Sequence, residues 1–303
     1  MLAAGGMAPS TRDLNAVKLR EAMLRLQETF DVQGVAIGSV ENRKLPGPGG
    51  ALAVRIYTPA GVSAQQQSPA LVYFHGGAGV FCSIDTHEGL CRVLANASGC
   101  RVFSVDYRLA PEHPFPAAIE DAYFATQWLS THASEVRIDP ARIAIGGDSF
   151  GGTLAAVVCQ RAKETAGPAL ALQVLVCPVT DLSGRSASWT AYGTGHFLER
   201  ATLDWAIEKY APRMDLANPR ISPLRALDFS GLPPAHIHTA EFDPFRDEGS
   251  AYAEALALAG VPVRYTCHAG MIHHFYCMAG AISNAQPAIA DAGAAIAEAL
   301  ALR

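Results

Sequence analysis

The sequence lacks an excess of basic charge. Its 23 Lys and Arg residues are outnumbered by 28 Asp and Glu, which leaves a formal net charge of −5. Proteins that bind nucleic acid neutralise phosphates with a basic surface, and recruitment to an anionic membrane also needs a cluster of Lys and Arg. We therefore expect neither nucleic acid nor a membrane as a partner.

Long apolar runs are also missing. A helix that spans a bilayer needs about 20 consecutive apolar residues, and the Ala-rich stretch 285–302 is interrupted by Pro287, Asp291 and Glu298. Residues 1–7 carry neither the basic nor the apolar segment of a secretory signal. These absences predict a cytoplasmic protein.

Cysteine pairs and metal-ligand spacings are scarce. The seven Cys residues are an odd number, include no Cys-x-x-Cys pair and mostly lie in apolar stretches, so we expect buried thiols in a reducing compartment. His236 and His238 would share one face of a strand, but no Cys or carboxylate stands at ligand spacing from them, and a metal site needs three or four ligands. The sequence predicts no metal and no cofactor.

What is present is a strongly apolar chain with alternating elements. Half of the 303 residues are hydrophobic and 17% are charged, which excludes a disordered chain. Runs typical of strands alternate with stretches typical of helices, which predicts parallel βαβ units in an α/β fold. The predicted strands are 70–74, 101–105, 142–146, 172–177, 235–240 and 262–267, and the predicted helices are 86–98, 115–130, 151–163, 247–259 and 285–301.

The N-terminal region departs from this alternation. Residues 13–30 carry spaced apolar side chains among charged ones, which predicts an amphipathic helix. Two strands are expected at 35–40 and 51–57, on either side of a turn rich in Pro and Gly.

A second departure is the long interval 178–233, which contains no convincing strand. Residues 203–210 predict a helix with Thr202 as its N-cap. An insertion of this length is rarely a bare loop, so we expect a helical cap over the sheet, completed by the N-terminal helix. The predicted organisation is an N-terminal cap region 1–45, a first core part 46–180, a cap insertion 181–232 and a second core part 233–303.

The strongest chemical signal is Gly-Asp-Ser-Phe-Gly at 147–151. It follows a predicted strand and opens a predicted helix, which is the context that a G-x-S-x-G nucleophile turn requires. Such a sharp turn lifts Ser149 above the sheet edge, and the small residues around it relieve the crowding. The helix N-terminus then directs N–H groups at developing negative charge. We expect Ser149 to be a nucleophile.

A second signal is Tyr-Phe-His-Gly-Gly-Ala-Gly at 73–79, at the end of a predicted strand. Because glycines have no side chain in the way, the amides of Gly76, Gly77 and Ala78 can approach a substrate carbonyl. The N–H of Phe150 would complete such an oxyanion hole.

An acid and a base follow in the chain order Ser, Asp, His. Asp243 comes just after the predicted strand 235–240, and His273 just after 262–267. Both therefore lie where parallel strands end, which is the usual ligand edge of such sheets. A serine nucleophile needs an imidazole to accept its proton, and the imidazole needs a carboxylate that fixes its tautomer.

These motifs, with Val-Asp-Tyr-Arg-Leu-Ala-Pro-Glu at 105–112, resemble the hormone-sensitive lipase family of α/β-hydrolase esterases, and the resemblance runs from about Leu71 to Phe275. It implies an eight-stranded, mostly parallel sheet flanked by helices and covered by a helical cap. It also implies a serine carboxylesterase acting on short- to medium-chain esters, and a homodimer formed through an edge strand.

The resemblance assigns roles to single residues. Ser149 would be the nucleophile, Asp243 the acid and His273 the base. His273 fits the Gly-x-x-His spacing of the family, whereas His274 stands where glycine is common, so the choice between the two imidazoles rests on spacing.

The glycine loop departs from the family pattern. Ala78 replaces the third glycine, Gly79 stands where an aromatic residue is usual, and Phe150 replaces a small residue. The Ala78 N–H can still serve if its φ is negative. Losing the aromatic at 79 should open room that Phe150 partly fills, and such loops are associated with esters of bulky alcohols. The predicted substrate-binding residues are Gly79, Phe81, Phe197 and His274.

Other polar residues in these motifs are expected to have structural roles. His75 should brace the glycine loop, and Asp148 should point away from the reacting centre. Asp106, Arg108 and Glu112 are expected to form one cluster of ion pairs and hydrogen bonds.

Two other functions fit the same motifs. An amidase or arylformamidase needs the same three side chains to release an amine, and a small-molecule receptor can use the same scaffold without hydrolysis. The presence of all three residues favours an enzyme over a receptor.

Overall fold

A single eight-stranded sheet organises the molecule in this computed structural model, which describes residues 15–63, 65–184 and 186–301. The strands are β1 Ser39–Gly47, β2 Gly50–Thr58, β3 Ser68–Phe74, β4 Arg101–Asp106, β5 Ile138–Asp148, β6 Leu172–Val176, β7 Ala235–Phe242 and β8 Val263–Ile272. Their order in the sheet is β1-β2-β4-β3-β5-β6-β7-β8. β1 and β2 pair antiparallel, as do β2 and β4, and all other pairs are parallel. The predicted mostly parallel sheet is confirmed.

Eight α-helices accompany the sheet among the described residues. They are α1 Ala16–Phe30, α2 Glu88–Ser98, α3 Ala117–Thr131, α4 Phe150–Glu164, α5 Ala187–Tyr192, α6 Arg200–Tyr210, α7 Arg246–Leu258 and α8 Ala285–Ala301. Short 3₁₀ turns lie at Asp85–His87, Pro223–Arg225 and Phe275–Met278. None of the helices that can be described combines the length and the hydropathy of a bilayer span.

The central strands are apolar throughout because the sheet is buried on both faces. Side chains alternate between the faces along a strand. In β3, Val72 and Phe74 belong to one hydrophobic cluster, while Leu71 and Tyr73 belong to the other. Helices α3, α4 and α7 contribute to the first cluster, and α2 and α8 to the second. This arrangement explains why the parallel strands show no alternation of polar and apolar residues.

The predicted strand at 35–40 is wrong. The first strand is β1, Ser39–Gly47, and most of its residues are exposed. β1 is an edge strand that pairs only with β2, so it needs little apolar character and tolerates Pro46. A search for apolar runs cannot find such a strand.

Two smaller predictions are also wrong. Thr202 is not an N-cap, because α6 already begins at Arg200 and Glu199 precedes it.

Asp106, Arg108 and Glu112 do not form one cluster. Arg108 instead donates to both carboxylate oxygens of Asp121 at 2.8 and 2.9 Å. Glu112 accepts from Arg20 of α1 at 2.7 and 2.9 Å. The sequence signal was correct in predicting structural ion pairs but could not identify partners that arrive from distant segments.

Candidate active site

Ser149 lies in a strained turn between β5 and α4. Its φ is 52° and its ψ is −120°, a backbone conformation that residues other than glycine rarely adopt. A Cβ added to Gly151 would collide with the carbonyl oxygen of Phe74, and one added to Gly147 would lie 2.5 Å from the same atom. The turn can therefore form only because both positions are glycine.

Asp243 and His273 form a buried pair at the ends of β7 and β8. Asp243 Oδ2 lies 2.8 Å from His273 Nδ1, and Asp243 Oδ1 accepts a hydrogen bond from the N–H of Phe245 at 2.8 Å. A donating Nδ1–H leaves Nε2 of His273 unprotonated. Burial alone would lower the pKa of His273, but the charge and hydrogen bond of Asp243 outweigh it and raise this pKa above 6.5.

Ser149 and His273 line the same small cavity, beside Asp148 and Cys177. The structure thus brings Ser149, Asp243 and His273 to the carboxyl edge of the sheet, from the ends of three strands. It is His273 that pairs with Asp243.

The glycine loop is tied to the nucleophile turn by a carboxylate. Asp148 Oδ1 accepts from Gly76 N–H at 3.1 Å and from the Tyr73 hydroxyl at 2.9 Å. His87 Nε2 lies 3.1 Å from the same oxygen. Burial works to raise the pKa of Asp148, but the charge and hydrogen bond of His87 hold it below its usual range. Asp148 is therefore a charged brace, in line with the structural role that was expected.

The hydrogen bond to Asp148 distinguishes Gly76 from the other predicted oxyanion donors. The single N–H of Gly76 is engaged by Asp148. Among the residues that the structure describes, the N–H groups of Gly77, Ala78 and Phe150 have no hydrogen-bond acceptor. The φ of Ala78 is 53°, not the negative value on which its role as a donor was made conditional, but its N–H is still without an acceptor among the described residues. A left-handed alanine costs roughly 1–2 kcal/mol.

Phe150 occupies the room that the missing aromatic at position 79 would leave. A Cβ on Gly79 would lie 3.0 Å from both Phe150 Cζ and Tyr210 Cδ2. The Phe150 and Tyr210 rings meet edge to face, with centroids 4.7 Å apart. Tyr210 of helix α6 thus packs beside the glycine loop together with Phe150, and the two rings largely fill the space that was expected to open at Gly79.

The other predicted substrate-binding residues differ in exposure. Phe81 is partly buried and packs on the core, whereas Phe197 is 37% exposed. Phe197 stacks on His274 with the ring planes 5° apart and the centroids at 5.8 Å. His274 itself is buried, has a φ of 68°, and places Nε2 2.7 Å from Nε2 of Gln27 in α1. Burial and the nearby His87 lower the pKa of His274 to about 3, so its ring is neutral.

His75 braces the loop as expected. Its ring stacks on Tyr107 with centroids 4.3 Å apart, and its Nδ1 lies 2.7 Å from the Gly76 carbonyl oxygen. Burial, with a contribution from His87, lowers the pKa of His75 to about 3.

Sequence reasoning missed three residues of this region. Neither His87 nor Gln27 belongs to a motif, and only their tertiary contacts with Asp148 and His274 make them visible. Cys177 follows β6 with a φ of 45° and lies beside the Asp243 carboxylate, which contributes to raising the pKa of the buried thiol.

Comparison with known proteins agrees with this geometry. The α/β-hydrolase fold family matches residues 71–277. The chain belongs to the α/β-hydrolase family. The resemblance to its hormone-sensitive lipase branch is thereby confirmed.

Relatives of this α/β hydrolase are ester hydrolases. The carboxylic ester hydrolase LipN of Mycobacterium tuberculosis (strain ATCC 25618 / H37Rv) is 45% identical over 243 residues, which are 78% of this chain and 64% of LipN. An ethyl acetate hydrolase of Pseudomonas putida is 42% identical over 78% of this chain and 75% of its own. The structure of ester hydrolase EH1AB1 from the metagenome of Lake Arreo, in complex with a derivative of bipyridine phosphonate, superposes with a TM-score of 0.93. That protein is 42% identical, and the match covers 96% of this chain and 92% of EH1AB1.

Proposed function

We propose that this α/β hydrolase is a serine carboxylesterase with Ser149 as nucleophile, His273 as base and Asp243 as the carboxylate that orients it. The observation that carries the proposal is His273, which is hydrogen-bonded to the buried carboxylate of Asp243 and lines the same small cavity as Ser149, a serine held in a strained turn. Ester-hydrolysing relatives support the same reaction.

The reaction has two steps. His273 Nε2 accepts the hydroxyl proton of Ser149 as Oγ attacks the ester carbonyl carbon, and the same proton then passes to the departing alcohol, which leaves an acyl-enzyme. In the second step His273 accepts a proton from water, hydroxide adds to the acyl carbon, and the proton returns to Ser149 as the acid is released. Asp243 stays ionised and stabilises the imidazolium.

The oxyanion is stabilised by backbone N–H groups. The three without another acceptor belong to Gly77, Ala78 and Phe150, and each such donor contributes about 3–4 kcal/mol to transition-state stabilisation. The Gly76 N–H donates a hydrogen bond to Asp148 and therefore helps to hold the glycine loop in place instead of binding the oxyanion.

The substrate is a carboxylic ester with a short- to medium-length acyl chain. Gly79, Phe81, Phe197 and His274 border the acyl or alcohol subsites, and the ethyl acetate hydrolase among the relatives supports a small substrate. Tolerance of bulky alcohols remains a hypothesis, and the Phe150–Tyr210 pair limits it.

The division predicted from the sequence is part of this proposal, with one change. Regions 1–45 and 181–232 are predicted as cap and 46–180 and 233–303 as core, but β1 begins at Ser39 and belongs to the sheet, so the N-terminal contribution to the cap is restricted to the part that precedes β1. Residues 1–14 lie outside the described residues. The six buried free thiols suit a reducing cytoplasm. The edge strand β8 is the surface through which a homodimer would form.

The direct test is Ser149→Ala. Hydrolysis of p-nitrophenyl butyrate should fall by at least about 10⁴-fold while the far-UV circular dichroism stays unchanged, because removal of a triad nucleophile abolishes acyl-enzyme formation. Ser104→Ala, at a buried serine in the middle of β4, is the matched control and should keep its activity. Substantial turnover by Ser149→Ala would reject the nucleophile, and comparison of matched esters and amides separates an esterase from an amidase.

A further inference from the structure

Four metal-ligating side chains meet beside the nucleophile turn. His87, Asp148, His274 and Cys277 each present one ligand atom, all four residues are buried, and these atoms lie within 4.8 Å of one another. They come from three separate segments, after β3, at the end of β5 and after β8. We propose that they form a binding site for one divalent cation of the zinc class, which uses none of the side chains of Ser149, His273 and Asp243 but borders the same small cavity.

The spacing suits a single ion. Four atoms that lie within 4.8 Å of each other have a common centre no more than about 2.9 Å from any of them, whereas zinc bonds are about 2.0 Å to nitrogen and 2.3 Å to sulfur. Each ligand therefore has to move inward by less than about 1 Å. The short distance between His87 Nε2 and Asp148 Oδ1, 3.1 Å, shows that two of the four already approach closely.

The donor set selects the class of cation. One thiolate, two imidazoles and one carboxylate match the ligands of tetrahedral Zn²⁺ and of its substitute Co²⁺. Mg²⁺ and Ca²⁺ prefer six or more oxygen ligands, which this group does not offer. Binding would remove the thiol proton of Cys277, which passes to the solvent, and would leave a zinc–thiolate bond.

Outer contacts hold both imidazoles. Thr86 Oγ1 lies 2.8 Å from His87 Nδ1. Gln27 Nε2 lies 2.7 Å from His274 Nε2, while Gln27 Oε1 is buried and has no hydrogen-bond partner among the described residues. A half-turn of this amide about its terminal bond would exchange Nε2 and Oε1 and make Oε1 the acceptor for a proton on His274 Nε2. In that tautomer Nδ1 carries no proton and can bind a cation. Acceptors in the second shell of metal sites fix the tautomer of a ligating imidazole in the same way.

A small cavity and a strained backbone at His274 also support a site at this position. Asp148, His274 and Cys277 border the small cavity that also touches Ser149. His274 keeps a left-handed backbone with φ 68°, at a position where the related family commonly has glycine. A strained residue of this kind persists where it makes an interaction that glycine cannot.

The test uses Co²⁺ as the probe on protein first stripped with a chelator and then freed of it. We expect one equivalent to produce the visible bands of tetrahedral Co²⁺ together with a thiolate-to-cobalt charge-transfer band, and Zn²⁺ to displace them. Cys277→Ala and His274→Gly should each weaken binding by at least about 100-fold. Glycine at 274 relieves the left-handed backbone, so this variant tests the site without depending on the folding of Cys277→Ala.

The matched control is Cys159→Ala, another buried cysteine, in α4, which should keep the full spectrum. Zn²⁺ should also raise the melting temperature of the wild-type protein and of this control, but not of Cys277→Ala, because binding stabilises only the folded state. Absence of a charge-transfer band would overturn the proposal. So would a band that survives in Cys277→Ala but disappears in Cys177→Ala, since Cys177, Asp243 and His273 form a second group of ligating side chains.

Discussion

At the scale of single residues, the site depends on positive φ values, which residues other than glycine rarely adopt. Ser149, Ala78, Cys177 and His274 all have positive φ values between 45° and 68°. These residues surround one small region at the carboxyl ends of the strands. Such strain concentrates at functional sites because the surrounding packing must hold it in place. Positive φ values also occur at Arg137, Ala166 and Arg213, so the strained positions support the location that the motifs indicate but do not identify it alone.

The ionisation of His273 predicts the acid limit of activity. The base works only as neutral imidazole, and Asp243 raises its pKa above 6.5, so the proton is taken up at a higher pH than for an ordinary histidine. We expect kcat/KM for p-nitrophenyl butyrate to fall as pH decreases through a value above 6.5. The measurement is a pH–rate profile with a chelator present, and a rate that stays flat from pH 8 to pH 5 would contradict the assignment.

At the scale of elements, helices α1 and α6, which we propose as parts of a cap, are attached to the rest of the molecule by specific contacts. Helix α1 is held by Arg20, whose guanidinium donates to the carbonyls of Val80 and Ala110 at 2.9 Å and also pairs with Glu112. Helix α6 is held by Tyr210, whose ring lies against Phe150. Helices α1 and α6 thus make these contacts close to the glycine loop, and changes at either contact should affect substrate binding as well as stability.

Arg20→Ala tests the attachment of α1. Loss of two hydrogen bonds to carbonyls should lower the free energy of unfolding by about 2 kcal/mol and raise KM more than it lowers kcat, because α1 borders the site but carries no reacting group. The measurements are urea unfolding and steady-state kinetics. Arg25→Ala on the same helix is the control, since Arg25 is exposed and has only a 3.9 Å ion pair, so its effect should stay within about 0.5 kcal/mol. Equal effects of the two variants would show that Arg20 does not hold the helix.

Phe150→Ala tests the aromatic pair between α4 and α6. The substitution keeps the backbone N–H of residue 150 but removes the ring that fills the space beside Gly79. We expect the ratio of kcat/KM for tert-butyl acetate to that for n-butyl acetate to rise roughly 10-fold or more, as for other changes of pocket volume.

Phe229→Ala is the matched control for this change. Phe229 belongs to the 181–232 insertion, as Tyr210 does, but its ring packs edge to face on Tyr252 of α7 instead of on Phe150. Its ratio for the two acetates should equal that of the wild type. An unchanged ratio in Phe150→Ala would show that this ring does not limit the alcohol subsite. Phe150 is buried and Phe229 is partly buried. Because removal of a buried phenyl ring costs about 3–5 kcal/mol, both variants are assayed well below their melting temperatures.

At the scale of the whole molecule, the parallel sheet collects residues that are distant in the chain. Ser149, Asp243 and His273 follow β5, β7 and β8, and parallel strands all deliver their carboxyl ends to one edge. For this reason the alternation of apolar runs predicted both the fold and the location of the site. The same pattern missed β1, because an exposed edge strand has no apolar run to detect.

The sequence by itself determined the αβ alternation, the nucleophile turn and the acid and base that follow it, because each depends on residues adjacent in the chain or on strand ends that a parallel sheet must bring together. Only the tertiary structure decided which contacts cross between segments. In the folded protein the Gly76 N–H is hydrogen-bonded to Asp148, and the rings of Phe150 and Tyr210 fill the space at Gly79. Four side chains that could bind a metal also lie close together: His87, Asp148, His274 and Cys277. These contacts depend on distances of a few ångströms between elements far apart in the chain, and local sequence patterns do not encode such distances.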